Sequence, residues 1–132
     1  MSGQSDVRQG SCLCGNVRFK TSGPLREVVA CHCTQCRKQS GHYFAATNVP
    51  DDCLSVEAGG DLKWYQSSAD AKRGFCSNCG SSLFWKHSKD PFTSVLSGSF
   101  EKPSELKLTR HIFVADKGDY YEIGDGLPQR DH

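Results

Sequence analysis

No stretch of the chain approaches the roughly 20 consecutive apolar residues that a membrane-spanning helix needs. The opening residues, MSGQSDVRQGS, hold no apolar core of the kind a secretory leader carries. A reducing, cytoplasmic setting without a membrane partner is therefore expected. Neither sign of charge is in excess, since 16 Lys and Arg stand against 15 Asp and Glu for a formal +1. The basic residues are scattered, which argues against a nucleic-acid surface. A sustained helical apolar period, internal repeats and low-complexity linkers are also missing, and no pairing of a nucleophile with a base stands out.

What the chain does have is short runs of β-branched and aromatic residues between turn signals. They cover 16–21, 28–31, 42–47, 54–57, 62–66, 72–75, 82–86, 93–97 and 111–114. This spacing predicts a mainly β domain, with one helical turn over 34–40 ended by Gly41. At 132 residues the chain is expected to form a single zinc-stabilised domain over 10–128 after a short tail over 1–9. Its oligomeric state is not legible from these patterns.

Seven of the eight cysteines fall in three clusters: Cys12-x-Cys14, Cys31-x-Cys33-x-x-Cys36 and Cys76-x-x-Cys79. Side chains at i and i+2 of an extended segment point the same way, so C-x-C aims two sulfurs at one ion, and C-x-x-C does so through a tight turn. Eight cysteines are also compatible with four disulfides, but clustered pairs without an export signal favour metal. Combining the two pairs gives a closed tetrahedral set, Cys12, Cys14, Cys76 and Cys79. The triple Cys31, Cys33 and Cys36 is then one ligand short, which is the coordination of a catalytic zinc. Two zinc ions per chain are expected. Seven ionised thiols and two zinc ions would turn the formal charge weakly negative. Gly15 and Gly80 directly follow cysteine pairs, where a positive φ would turn backbone N–H groups toward the sulfurs.

The open reading of the triple competes with a second closed site, with Cys53, His32, His42, His87 or His111 as fourth ligand. His32 lies between two ligands on an extended segment and should point away from them. Cys53 sits in an apolar strand context, where a lone cysteine commonly acts as a small hydrophobe. Three thiolates make zinc a weak Lewis acid for water and a better seat for a fourth thiolate. Arg37 and Lys38 follow the triple, and Arg37 is the candidate to orient an anionic cosubstrate through its carboxylate. His42, His87 or His111 could shuttle a proton, and their spacing prefers none of them.

The segments G-S-C-L-C-G-N-V-R-F at Gly10 to Phe19, C-H-C-T-Q-C-R-K-Q-S-G at Cys31 to Gly41 and G-F-C-S-N-C-G-S-S-L-F-W at Gly74 to Trp85 closely resemble the glutathione-dependent formaldehyde-activating enzyme family. That family also includes centromere protein V. The resemblance implies a β-tent fold, with structural zinc at Cys12, Cys14, Cys76 and Cys79 and catalytic zinc at Cys31, Cys33 and Cys36. It further implies carbon-sulfur lyase chemistry in which glutathione, or a similar small thiol, adds to formaldehyde to give S-(hydroxymethyl)glutathione. Two other readings are carried forward. One is a non-catalytic zinc-stabilised binding module with both metals structural, and the other a thiol carrier or redox sensor. The long basic extension expected of a chromatin binder is not present in this sequence.

Overall fold

The computed structural model describes residues 6–132. Ten strands and one short α-helix follow in order: β1 Arg8–Ser11, β2 Arg18–Thr21, β3 Val28–Cys31, α1 Thr34–Ser40, β4 Phe44–Pro50, β5 Leu54–Glu57, β6 Leu62–Gln66, β7 Ala71–Cys76, β8 Ser82–His87, β9 Phe92–Leu96 and β10 Leu108–Ile112. They form a three-stranded sheet, β1-β2-β5, and a seven-stranded sheet, β10-β3-β4-β9-β8-β7-β6. Neighbours pair antiparallel except β10 with β3, which run parallel. No helix is long and apolar enough to cross a membrane among the described residues.

The expected β-rich architecture is thus present, and the helix over 34–40 lies where the sequence places it. Gly41 ends that helix at φ 87°, a left-handed conformation that glycine adopts without Cβ strain. Three details differ from expectation. Arg8 and Gln9, assigned to a tail, pair with Thr21 and Lys20 in β1–β2, whereas residues 1–5 lie outside the described residues. RQGS carries no apolar alternation, and its partners alone make it a strand. The expected last strand over 111–114 is shifted to Leu108–Ile112, because Phe113 leaves the extended region at φ 56°. Beyond residue 128 the chain remains attached: Arg130 N–H donates to the His111 carbonyl at 3.0 Å and Val114 N–H to that of Arg130 at 2.9 Å.

The core lies between the two sheets. β2 alternates exposed and buried residues, so Phe19 and Thr21 face inward. Phe19 meets Phe84 and Phe100 edge-on, at centroid distances of 5.7 and 5.2 Å. On β8 the register slips opposite Gly74 and Phe75, so consecutive Leu83 and Phe84 both enter the core, as a β-bulge permits. Val17, Val49 and Val95 complete it, with Cys12 and Cys76 at its edge. Gly10 is required here: a Cβ would stand 2.3 Å from the Phe19 ring and 2.4 Å from the Ser99 carbonyl oxygen.

Candidate metal centres

The first cysteine group gathers where the β1–β2 turn meets the β7–β8 hairpin. Sγ of Cys12 lies 3.6 Å from that of Cys14, which in turn lies 3.8 Å from that of Cys76, and all four sulfurs including Cys79 are within 4.8 Å of one another. A disulfide needs about 2.05 Å, so these are separate thiols. The edge of a tetrahedron built on Zn–S bonds of about 2.3 Å is about 3.8 Å. The cage has the size that zinc requires. Gly15 and Gly80, at φ 84° and 82°, turn the chain tightly enough to present the pairs. Val17 N–H donates to Cys12 Sγ at 3.3 Å and the Asn78 amide to Cys14 Sγ at 3.3 Å. Hydrogen bonding to Ser81 lies first among the causes that hold the Cys79 thiol down to about 5. Leu13 N–H also donates to Ser81 Oγ at 3.0 Å, tying the two halves of the site together.

The second group forms at the junction of β3 and α1. Cys31 ends β3, Cys33 caps α1 and Cys36 lies in its first turn. Cys36 N–H donates to Cys33 Sγ at 3.3 Å. Hydrogen bonds from Cys31 and Cys36 pull Cys33 down to about 2, while the bonds shared with Cys33 and Cys36, and then burial, push Cys31 well above its ordinary range. Cys36 is also raised, because the bond from Cys31 that lowers it is outweighed by Cys33 and burial. Three crowded thiols ionise one at a time, and a divalent cation among them removes that penalty. The donor set suits a thiophilic ion such as zinc.

None of the proposed fourth ligands joins this triple among the described residues. Cys53 packs against the main core, with Asp52 Oδ1 at 3.5 Å. The His87 Nδ1 atom accepts from Lys89 N–H at 3.2 Å, and His42 is bonded to the Tyr120 hydroxyl. His32 points away, as its position between two ligands implies. It is 1% exposed, with Nε2 at 2.9 Å from His111 Nδ1 and Nδ1 at 2.7 Å from the Tyr121 hydroxyl. His111 Nε2 lies 2.8 Å from Asp125 Oδ2. The carboxylate accepts from His111 Nε2–H, and in the tautomer with a single proton on His111 the chain continues as His32 Nε2–H to His111 and Tyr121 O–H to His32. Burial, then the neighbouring His111, lowers His32 to about 4.

The three sulfurs border a cavity of about 410 Å³, with walls that include Phe44, Trp85, Phe92, Ile112 and Phe113. Arg37 does not line it. Its Nε–H donates to the Asp116 carbonyl at 3.2 Å, which tethers the turn after β10, and Lys38 is exposed. The cavity's arginines are Arg26 and Arg73, neither of which adjoins the cysteine triple in sequence. Arg73 is 3% exposed, its Nη2 donates to Cys36 Sγ at 3.5 Å, and its guanidinium lies 5.2 Å from the centre of the Phe44 ring. A lone arginine beside Lys72 in a strand gives no local sign of burial. Only tertiary packing, with α1 resting on β4, brings it to the triple.

A family model described as glutathione-dependent formaldehyde-activating enzyme matches residues 7–116, from β1 to the turn after β10. A Halomonas elongata protein provisionally named as such an enzyme is 32% identical over 128 residues, which cover 87% of this chain and 80% of that one. A Schizosaccharomyces pombe protein called an uncharacterized lyase is 27% identical over 119 residues, 89% of this chain and 85% of its own. A crystal structure of a Rhodobacter sphaeroides protein superposes with a TM-score of 0.61 at 26% identity, covering 76% of this chain and 99% of the other. Matched from its first strand through both cysteine groups, the chain belongs to the glutathione-dependent formaldehyde-activating enzyme family.

Proposed function

We propose that the chain is a zinc-dependent enzyme of the carbon-sulfur lyase class that adds a thiol, glutathione in the first instance, to a small carbonyl electrophile such as formaldehyde. The observation that carries this reading is the contrast in ligand number: a closed group of four sulfurs, and a group of three that borders a cavity. Zinc held by three thiolates supplies a place for one further thiolate and lowers the pKa of the thiol that provides it.

The chain's own residues then have three tasks. Cys31, Cys33 and Cys36 fix the ion, with Cys33 Sγ held by the Cys36 N–H and Cys36 Sγ by Arg73. The aromatic and aliphatic walls of this half-open cavity limit the water beside the reacting carbon, which favours addition of the thiol. The confined volume sets thiol and carbonyl side by side, which converts a bimolecular encounter into a nearly unimolecular one. In the addition the sulfur lone pair forms the C–S bond, the C=O π pair moves to oxygen, and that oxygen takes a proton. The reverse sequence is the lyase direction.

Titration of cobalt-substituted protein with glutathione tests the reading. A new sulfur-to-cobalt charge-transfer band, with about one proton released per thiol bound in calorimetry, is the expected result. Binding without either signal would place the thiol elsewhere and remove support for this function.

A further inference from the structure

Three charged residues line the cavity, Arg26, Arg73 and Asp90, and of these only Arg73 is buried. One arm of its guanidinium is used, since Nη2 donates to Cys36 Sγ. Nε and Nη1 are buried and have no hydrogen-bond partner. No carboxylate pairs with Arg73 among the described residues. An unmatched buried donor destabilises the fold, and a leucine or methionine would fill the space against Phe44 without that cost. The thiolates of the triple account for the positive charge. They do not account for the two idle donors, which belong to a planar fork whose geometry suits an oxygen anion.

Resting on the thiol-addition reading above, we propose that Arg73 is a catalytic residue that binds the carbonyl oxygen of the electrophile and holds the negative charge this oxygen gains as sulfur adds. The site then selects electrophiles whose acceptor atom is an oxygen: aldehydes and ketones, not alkylating agents that expel a halide. The arginine acts by charge and hydrogen bonding. The alkoxide takes its proton from solvent, which balances the proton released when the thiol ionised. Loss of a single donor of this kind commonly lowers turnover about 10²- to 10³-fold.

The test compares two small thiols on cobalt-loaded protein, mercaptoacetate and ethanethiol. Mercaptoacetate carries a carboxylate close to sulfur that stands in for the alkoxide, and ethanethiol does not. Wild-type protein is expected to bind mercaptoacetate about tenfold or more tightly. Arg73→Met is expected to abolish that preference while ethanethiol still binds, Arg73→Lys to keep only part of it, and Arg26→Met to retain most of it. Aldehyde turnover in Arg73→Met should fall about 100-fold in kcat while the site still loads cobalt in one-to-one stoichiometry. Should Arg73→Met not fold, Arg73→Gln, with N–H donors but no charge, is expected to lose the same preference. A preference that survives removal of the Arg73 charge, or that disappears with Arg26→Met instead, overturns the proposal. So does a loss of cobalt affinity alone, which would make Arg73 a counter-charge to the thiolates. If wild-type protein takes up neither thiol, the open-site reading itself fails. That result is distinct from uptake of both without preference, which removes only the role of Arg73.

Discussion

The four-sulfur group draws its ligands from two turns, with Cys14 and Cys76 62 positions apart. The three-sulfur group draws its ligands from one strand end and the helix that follows it. An ion at the first site crosslinks the small sheet to the β7–β8 hairpin of the large one, so binding and folding are one event. An ion at the second closes only a short local loop and crosslinks nothing distant. The first site is also wired to the core through buried Cys12 and Cys76. The second instead borders a cavity and a buried cation. On the proposed function, ligand spacing along the chain separates a staple from a working site.

The largest expected effect is the loss of the staple. Cys76→Ser or Cys79→Ser should leave no stable fold, because structural zinc contributes about 10–16 kcal/mol to small metallo-domains, against a net stability of about 5–15 kcal/mol. Circular dichroism and solubility after expression check this outcome. Next comes Cys33→Ser, for which a cooperative thermal transition should persist while thiol–aldehyde addition drops by about 100-fold or more. If both substitutions unfold the protein alike, the difference between the sites disappears. Chelation sharpens the same contrast without mutation. Zinc should leave in two phases, the three-cysteine site first under mild chelator, as followed by a chromophoric zinc indicator. Simultaneous release would count against an open site.

Smaller effects come from the surroundings of the triple. Burial, and then the neighbouring His111, lowers His32 from 6.5 to about 4 and keeps it neutral. Above pH 6.5 neither folded nor unfolded chain protonates this group, and its full contribution is present. As pH falls from 6.5 toward 4, the unfolded chain binds a proton that the folded chain refuses, so stability declines, by about 1 kcal/mol or less per pH unit. Urea melts of zinc-saturated protein at pH 6.5 and 5.5 should show this loss, and His32→Gln should reduce it. The smallest effect is expected at Arg37. With its guanidinium on the Asp116 carbonyl, Arg37→Gln should cost about 0.5–1 kcal/mol in melting experiments and change turnover by only about two- to threefold. A 100-fold loss of turnover there would return Arg37 to the substrate-binding role that its sequence position suggests.

Much of the strand layout was legible because alternation and turn chemistry are local. Val28–Cys31, Leu54–Glu57 and Leu62–Gln66 lie where their β-branched and aromatic residues place them. β1 was not, since Arg8–Ser11 has no pattern of its own and becomes a strand by pairing with β2. The membership of each cysteine group was also legible, because C-x-C and C-x-x-C constrain sulfur directions within a few bonds. The contrast between Arg37 and Arg73 could not be read in this way. Proximity to the triple along the chain favoured Arg37, yet proximity in space belongs to Arg73, 37 positions from Cys36.

By itself, then, the sequence determined the cysteine pairs and triple, the β-rich class and the helix cap at Gly41, all of which depend on contacts across a few residues. The tertiary structure alone decided which side chains surround the three sulfurs, how His32 is paired with His111 of β10, and how the aromatic residues line the cavity. Those features arise when strands distant in sequence are packed side by side. Side-chain direction and burial there are set by partners that no local pattern encodes.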